Sequence, residues 1–454
     1  MKKRSVTRGP EPVEAPLGTV HPHAAGIDVG NETHDVAVPP EDVVEGEAVQ
    51  SFGCFTAELE RLARWLKDCG VRTIAMQSTG VYWVPIFDLL EQHGFEVYLV
   101  NARDTRNLPG RKSDVQECPW LRKLHTHGLL QNSFHPPAEV RCLRALWRQR
   151  GDQIRSAGRG VQRMQKALTQ MNLHLSHVIS DIAGLTGMAI VRAIVAGERD
   201  PFQLAALRHR RIKASQEQIA ASLQGTWRPE LLFVLKQELA MYDAFQQRIV
   251  ECDEELASQL RSLPAAASPT AEPPPSHKRQ RAQGNAPAFD LRAEVVRVAG
   301  VDLTRIDGLD VLNAQTMLSE VGWDRSRWKT EGHFASWLGL CPNNSSSGAK
   351  VLGRATRKVV SRAATAFRLA AHALFRSQSY LGAQFRRLRT RLGTPKAITA
   401  MAHRLARLVY RLLRYGHAYV DQGSTYYEQR YREQQLRSLQ KKAAQLGLTL
   451  QPQC

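Results

Sequence analysis

The chain is poor in acid, has no long apolar run, and its cysteines show no pairing pattern. It carries 43 Asp+Glu against 62 Lys+Arg, a net charge of +19 over 454 residues. No apolar stretch approaches the ~18 residues needed to cross a bilayer, so no membrane span is expected. The amino terminus, MKKRSVTRGPEPVEAP, is basic but runs into Pro and Glu where a secretory signal would have an apolar segment. Seven cysteines (Cys54, Cys69, Cys118, Cys142, Cys252, Cys341, Cys454) are scattered without short paired spacings. That argues for reduced thiols in a cytoplasmic protein and against a zinc module.

What is present is positive charge, and a polyanion, above all nucleic acid, is the partner that such an excess answers. An anionic membrane surface and plain solubility are the competing explanations. The length suggests two to four domains. Composition places a disordered lead at 1–22, an α/β domain at 23–137 and long helical runs at 138–262. A Pro/Ala-rich linker follows at 263–288, with a basic cluster at Lys278–Arg281, then a helical domain at 289–418 and a charged, Gln-rich helical tail at 419–454. The fold class is α/β plus all-α.

The stretch from Met76 to Trp120 organises the first domain. A strand at Arg72–Gln77 stops at Ser-Thr-Gly, a helix covers Val81–His93, a strand covers Phe95–Val100, and a loop closed by Pro109-Gly110 leads to a helix from near Ser113. Upstream, AAGIDVGNETHDVAVP gives two strands around a turn and SFGCF a third. A helix then places Leu59, Leu62, Ala63 and Leu66 on one face and stops at Gly70. Three strands, helix, strand, helix, strand, helix is the order of a ribonuclease-H-like domain, and other mixed α/β folds share it. On that frame Asp114 and Glu117 project from one helix face, Gln77 lies at a strand end, and Asp28 is an acid of an earlier strand, between Ile27 and Val29. All four could converge on a metal-sized space. Phosphodiester chemistry at paired metals needs several carboxylates, and Gln77 brings an amide without charge. His125 and His127 read as polar surface or core residues.

The helical runs 138–174 and 229–262 read as an antiparallel pair with a small helical insert at its tip. Ser215 and Gln218 have capping-box spacing there, and Pro229 sits in a first turn. TRIDGLDVLNAQTMLSEVG resembles a helix-hairpin-helix turning at Gly308, a motif that aims backbone N–H groups at phosphate. A Ser-rich loop follows, Ser345-Ser346-Ser347-Gly348, with Lys350, Arg354, Arg357 and Lys358 after it. A serine oxygen attacks phosphorus only where its developing charge is stabilised, which such cations could do. Arg404, Arg407, Arg411 and Arg414 recur beside Leu405, Leu408 and Leu412, a basic stripe with its outer face toward phosphates.

These segments carry a family resemblance. GIDVG, MQSTGVYW, VNARDTRNLPGRKSDVQECPWL with KLHTHGLL, IDGLDVLNAQTMLSEVG and FASWLGLCPNNSSSGAKVLGRATRK together resemble the DEDD transposases of insertion sequences of the IS-one-ten and IS-eleven-eleven type. The pilin-gene DNA invertases are similar. The resemblance runs in order from Ala25 to Gly416. It implies a RuvC-like domain, a coiled-coil middle and a carboxy-terminal transposase domain with a nucleophilic serine. It further implies a phosphoserine link to double-stranded donor and target DNA, a structured non-coding guide RNA, and a homo-oligomer, dimer or tetramer. Its catalytic positions fall on Asp28, Gln77, Asp114, Glu117 and Ser347, with Ser346 adjacent, and its metal positions on Asp28, Asp114 and Glu117 for one or two Mg²⁺. Nucleic-acid contacts are expected from Arg111, Lys112, Lys350, Arg354, Arg357, Lys358 and Arg362. Gln77 in place of an acid and Glu117 in place of an aspartate depart from the family pattern and put metal stoichiometry in doubt. A RuvC-like structure-selective endonuclease using metal-activated water, and a catalytically degenerate nucleic-acid-binding protein, are the alternatives.

Overall fold

A computed structural model of the chain describes residues 18–44, 46–77, 80–101, 117–266, 285–343, 345–347, 350–353, 355–357, 359–416 and 423–449; at 345, 346, 350–352 and 424 it describes backbone alone. They fall into two compact units, Met1–His135 and Pro136–Cys454.

The first unit is a five-stranded mixed sheet. Strand β1 (Ala24–Val29) pairs antiparallel with β2 (Thr33–Ala37), which pairs antiparallel with β3 (Val49–Gly53). Helix α1 (Thr56–Asp68) leads to β4 (Thr73–Gln77), which lies parallel to β1. Helix α2 (Trp83–Gln92) leads to β5 (Glu96–Val100), parallel to β4, giving the order β3-β2-β1-β4-β5. Helix α3 (Glu117–Thr126) follows. This matches a ribonuclease-H-like arrangement.

Alternation along the strands gives the sheet two different faces. Ile27, Val29, Val36, Phe52, Ile74 and Met76 join Leu59, Leu62, Ala63 and Leu66 of α1 and Ile86 and Leu90 of α2 in one core. The opposite face carries Ala75 and Val100 under Leu121 and Leu124 of α3. The apolar face expected of α1 is therefore the buried one, and Gly70 ends it at φ +66°.

The second unit opens with α4 (Ala138–Gln170). An insert of α5 (Leu185–Ala196), α6 (Pro201–Ala206) and α7 (Gln216–Ser222) precedes α8 (Pro229–Ser262). Arg150 meets Asp253 and Arg163 meets Glu238, so α4 and α8 run antiparallel. Ser215 and Gln218 close the expected capping box, and Pro229 occupies the first turn of α8. The insert has its own core, in which Ile190, Ile194, Leu204 and Ile219 meet Met164, Leu168 and Leu235 of the long pair.

Beyond the linker come α9 (Leu291–Ala299), α10 (Val311–Val321), α11 (Glu331–Trp337), the hairpin β6 (Ser345–Ser347) and β7 (Lys350–Gly353), α12 (Arg362–Ala373), α13 (Tyr380–Leu392), α14 (Thr394–Tyr415) and α15 (Gly423–Gln445). Phe334, Phe367 and Tyr410 cluster at the centre, and the Tyr410 hydroxyl donates to the Trp328 carbonyl at 2.6 Å. Arg148 grips Glu320 of α10 through two hydrogen bonds, 2.9 and 2.7 Å, and the Trp147 indole donates to Thr316 at 2.9 Å. These contacts tie the long α4 to the helices that follow the linker. Residues 267–284 lie outside the described residues, and with them the Lys278–Arg281 cluster. Among the described residues no helix is long and apolar enough to cross a membrane.

His125, on α3, is fully buried, 2.8 Å from the Thr73 hydroxyl and stacked 4.6 Å from His21. Burial holds its pKa down to about 4, with the neighbouring His21 pushing the same way. In the unfolded chain a histidine titrates near 6.5. As pH falls from 6.5 toward 4 the unfolded state takes up a proton that the native state refuses, so stability is complete above 6.5 and declines below it. His34, also lowered by burial, acts in the same direction. The His125 contribution is roughly 3 kcal/mol. Urea unfolding at pH 7 and pH 5 should show a smaller pH-dependent loss in His125→Gln than in the parent; an identical loss would mean His125 is not the buried neutral group described.

Candidate active site

The site is built on the face of the sheet under α3. Glycine at position 26 lets this helix come down: a Cβ there would sit 2.3 Å from the Cys118 carbonyl oxygen and 2.4 Å from the Arg122 nitrogen. Two residues further along the same face is Asp28, half-buried near the carboxyl end of β1.

Directly opposite Asp28 in the β1–β2 ladder is Asp35, and opposite Asp35 in the next ladder is Ser51, whose hydroxyl donates to an Asp35 carboxylate oxygen. On the other side, Ile27 pairs with Met76, which brings Gln77 beside Asp28. Ser51, Asp35, Asp28 and Gln77 therefore form one row across four strands. Gln77 is buried, and its amide nitrogen donates to Glu117 Oε2 at 3.0 Å. The first turn of α3 thus hangs over the row. Cys118, next to Glu117, registers the negative charge: burial pushes its thiol up to about 12, with Asp35 and Asp28 adding to the rise.

The structure accordingly brings together Asp28, Gln77 and Glu117 from the expected set. Asp114 lies outside the described residues, as do Arg111 and Lys112, and α3 is described from Glu117 where a start near Ser113 is expected. Asp35 is the residue that sequence reasoning passed over. Its signal was present: a hairpin turning at residues 30–32 pairs 28 with 35.

A hard divalent cation takes carboxylate and carbonyl oxygens, and the donors at this end of the sheet are of that kind. Among the described residues, no three His, Cys, Asp or Glu side chains are gathered as a metal-holding group. In this geometry the Gln77 N–H₂ is turned to the Glu117 carboxylate. An acid at position 77 would set two carboxylates about 3 Å apart, an arrangement that resists double ionisation without a cation.

The serine run, expected as a loop, forms one strand of a hairpin. Ser347 pairs with Lys350 and Ser346 with Val351, with an irregularity between Ser345 and Ser346. Asn343 N–H donates to the Ala355 carbonyl at 2.8 Å, and Pro342 bridges Thr356, which continues the hairpin at its base. Ser347 is exposed. Arg357 donates to the Ser336 carbonyl at 2.6 Å, which anchors it on α11, and Arg362 is exposed at the first turn of α12. Gly348, Arg354 and Lys358 are outside the described residues, and the Lys350 side chain is likewise not described.

Two expectations about phosphate contacts need correction. The turn at Gly308 is preceded by a single 3-10 turn, Leu303–Arg305, where a helix was expected, and a Cβ on Gly308 would meet the Ala370 carbonyl oxygen of α12 at 2.5 Å. The α10 amino terminus is capped by Asp310, whose carboxylate accepts from Asn313 N–H at 2.7 Å. A carboxylate already answers the helix end that phosphate would use. The basic stripe of α14 is in part engaged within the unit: Arg407 and Arg411, each still partly exposed, share Glu331, and Arg414 donates to the Arg325 carbonyl at 3.0 Å.

A mixed sheet ending in carboxylates under a helix, followed by helices and a hairpin with Ser347 exposed, is compatible with a DNA-processing enzyme. The family comparison agrees. A transposase family model of the IS110 DEDD type matches residues 25–173, and a second, described as transposase IS116/IS110/IS902 family, matches residues 302–386. The chain is a transposase, an enzyme that cleaves and rejoins DNA, and it belongs to the IS110-type DEDD transposases. No curated protein matches it.

Gly26→Ala tests how the site is held. The added methyl meets helix backbone, which cannot turn aside as a side chain can, so α3 must lift; overpacking of this kind costs about 1–3 kcal/mol or more. Thermal unfolding should shift down and DNA cleavage should fall together. A variant of unchanged stability and activity would show that α3 does not need this approach.

Proposed function

We propose that the protein is the recombinase of a mobile insertion sequence, with Ser347 as the nucleophile and the carboxylates of the amino-terminal unit as its metal-dependent partner. The observation that carries this reading is that Asp28 and Gln77, near the carboxyl ends of the parallel strands β1 and β4, where α/β sheets bind their ligands, lie in one row with Asp35 of the antiparallel β2 under Glu117. In the proposed reaction the Ser347 oxygen forms a bond to phosphorus, a DNA sugar oxygen leaves, and the serine proton passes to solvent or a nearby base. Reversal of the step by a different strand end rejoins the DNA.

Asp28, Asp114 and Glu117, with Asp35 beside Asp28, are the proposed oxygen donors for one or two Mg²⁺, and a bound divalent ion supplies charge neutralisation at the phosphate. Gln77 orients Glu117 through its hydrogen bond. The exposed position of Ser347, opposite Lys350 in the hairpin, suits attack on a large substrate. Arg111, Lys112, Lys350, Arg354, Arg357, Lys358 and Arg362 are the proposed contacts to nucleic acid. The RuvC-like domain at 23–137, the coiled-coil region at 138–262 and the transposase domain at 289–418 form the proposed organisation. A structured guide RNA encoded by the element and assembly as a dimer or tetramer complete the reading.

The test is a covalent adduct. Protein, the element's flanking RNA and donor DNA are incubated with Mg²⁺, denatured, and resolved for DNA attached to protein. The expected result is an adduct that disappears in Ser347→Ala and falls at least a hundredfold in Asp28→Ala, since losing a central charge-stabilising group typically costs that much. Cleaved DNA with no adduct, unaffected by Ser347→Ala, would instead mean hydrolysis by metal-activated water. Bound DNA without cleavage would mean a degenerate binding protein.

A further inference from the structure

The carboxy-terminal helix α15, which the sequence marks only as charged and Gln-rich, builds a groove with α13. Arg386, Arg387, Arg389 and Arg391 crowd the last turns of α13. Among the described residues Glu428 is the one carboxylate in ion-pair contact with them, bound by Arg387 at 2.5 Å. The Arg387 guanidinium also lies 3.4 Å from the Tyr431 ring centre, and Tyr427 packs edge-on against Tyr380 at 4.8 Å. The groove encloses about 810 Å³. At Arg389 it meets a second hollow of about 410 Å³ that contains Phe375, Arg376 and His372. Arg389 lies 4.3 Å over the Phe375 ring, which is 40% exposed.

Cations alone would suit the backbone of any duplex. Aromatic faces interleaved with arginines ask for something more specific, because bases inside a duplex are already stacked and cannot reach them. An unpaired strand offers both phosphates and free base faces, and proteins that hold such strands combine a basic groove with aromatic platforms. Arginine–tyrosine stacking could serve only to attach α15 to α13, and Phe375 also meets Phe385 of α13 edge-on at 6.5 Å, but neither contact uses the part of the Phe375 ring that stays exposed. Phe375 belongs to the turn Leu374–Arg376, outside both helices.

We infer that the groove between α13 and α15, continued past Arg389 to Phe375, binds an unpaired nucleic-acid strand, with bases stacked on Phe375 and Tyr431 and phosphates held by Arg389 and Arg391. This goes beyond the cleavage reaction and does not depend on which residue attacks DNA.

Fluorescence anisotropy on the full-length protein tests it, with labelled oligo(dT), oligo(U) and a duplex of equal length as probes. Phe375→Ala and Tyr431→Ala should each weaken binding of at least one single strand about tenfold, with duplex affinity and the salt slope unchanged. Tyr431→Phe, which keeps the ring, should bind like the parent. Arg391→Gln should reduce the single-strand salt slope by about 0.7, one phosphate's worth. The oligo(dT) and oligo(U) arms distinguish DNA from RNA as the source of the strand. Single-strand affinity untouched in both alanine variants would overturn the inference, as would an equal loss on duplex. Phe375→Ala keeps the test valid if Tyr431→Ala merely loosens α15.

Discussion

The amino-terminal unit depends on one close approach, that of α3 onto β1 at Gly26. With no side chain at that position, the backbone of Cys118 and Arg122 rests against the strand. The consequence is positional: the first turn of α3 reaches the end of the sheet, where Glu117 accepts from Gln77 and stands over the row that contains Asp28 and Asp35. The rest of the unit serves that placement. Apolar residues on the other face of the sheet bind α1 and α2, which leaves the α3 face free to carry polar groups at its end.

Charge in the second unit is divided between two uses. One set of arginines is paired within the unit: Arg150 is almost completely buried with Asp253, while the partly exposed Arg148 grips Glu320 and the partly exposed Arg407 and Arg411 share Glu331. Removing one partner from a buried pair is far more damaging than removing the pair, so Arg150 reports on folding. The other set, at the end of α13, has little acid near it and lies among aromatic rings. Net charge therefore counts arginines that are already paired within the fold.

Much of the fold was legible in the sequence because local rules and burial agree there. Leu59, Leu62, Ala63 and Leu66 had only one helix face to share, and Ser215 with Gln218 could be read as a cap from spacing alone. What escaped was decided by partners distant in the chain. Glu331 is 76 residues from Arg407, so the α14 stripe read as an outward face. The serine run gave no β signal of its own and becomes a strand by pairing with Lys350–Gly353. Of the candidate site, Gln77 was read from a strand end, Asp28 from an earlier strand and Glu117 from a helix start. Asp35 was missed because its place beside Asp28 is set by cross-strand register, and α15 was missed because its tyrosines meet the arginines of α13 only in the fold.

The proposed function requires the end of the sheet with Asp28, Asp35, Gln77 and Glu117 to hold a divalent cation, a site that the amide at position 77 would weaken. Mn²⁺ binding to the full-length protein, followed by electron paramagnetic resonance, tests it without reference to cleavage. The account predicts binding that is lost or strongly weakened in Asp28→Asn and tightened in Gln77→Glu, where a charge is restored. Equal Mn²⁺ affinity in the parent and both variants would contradict it.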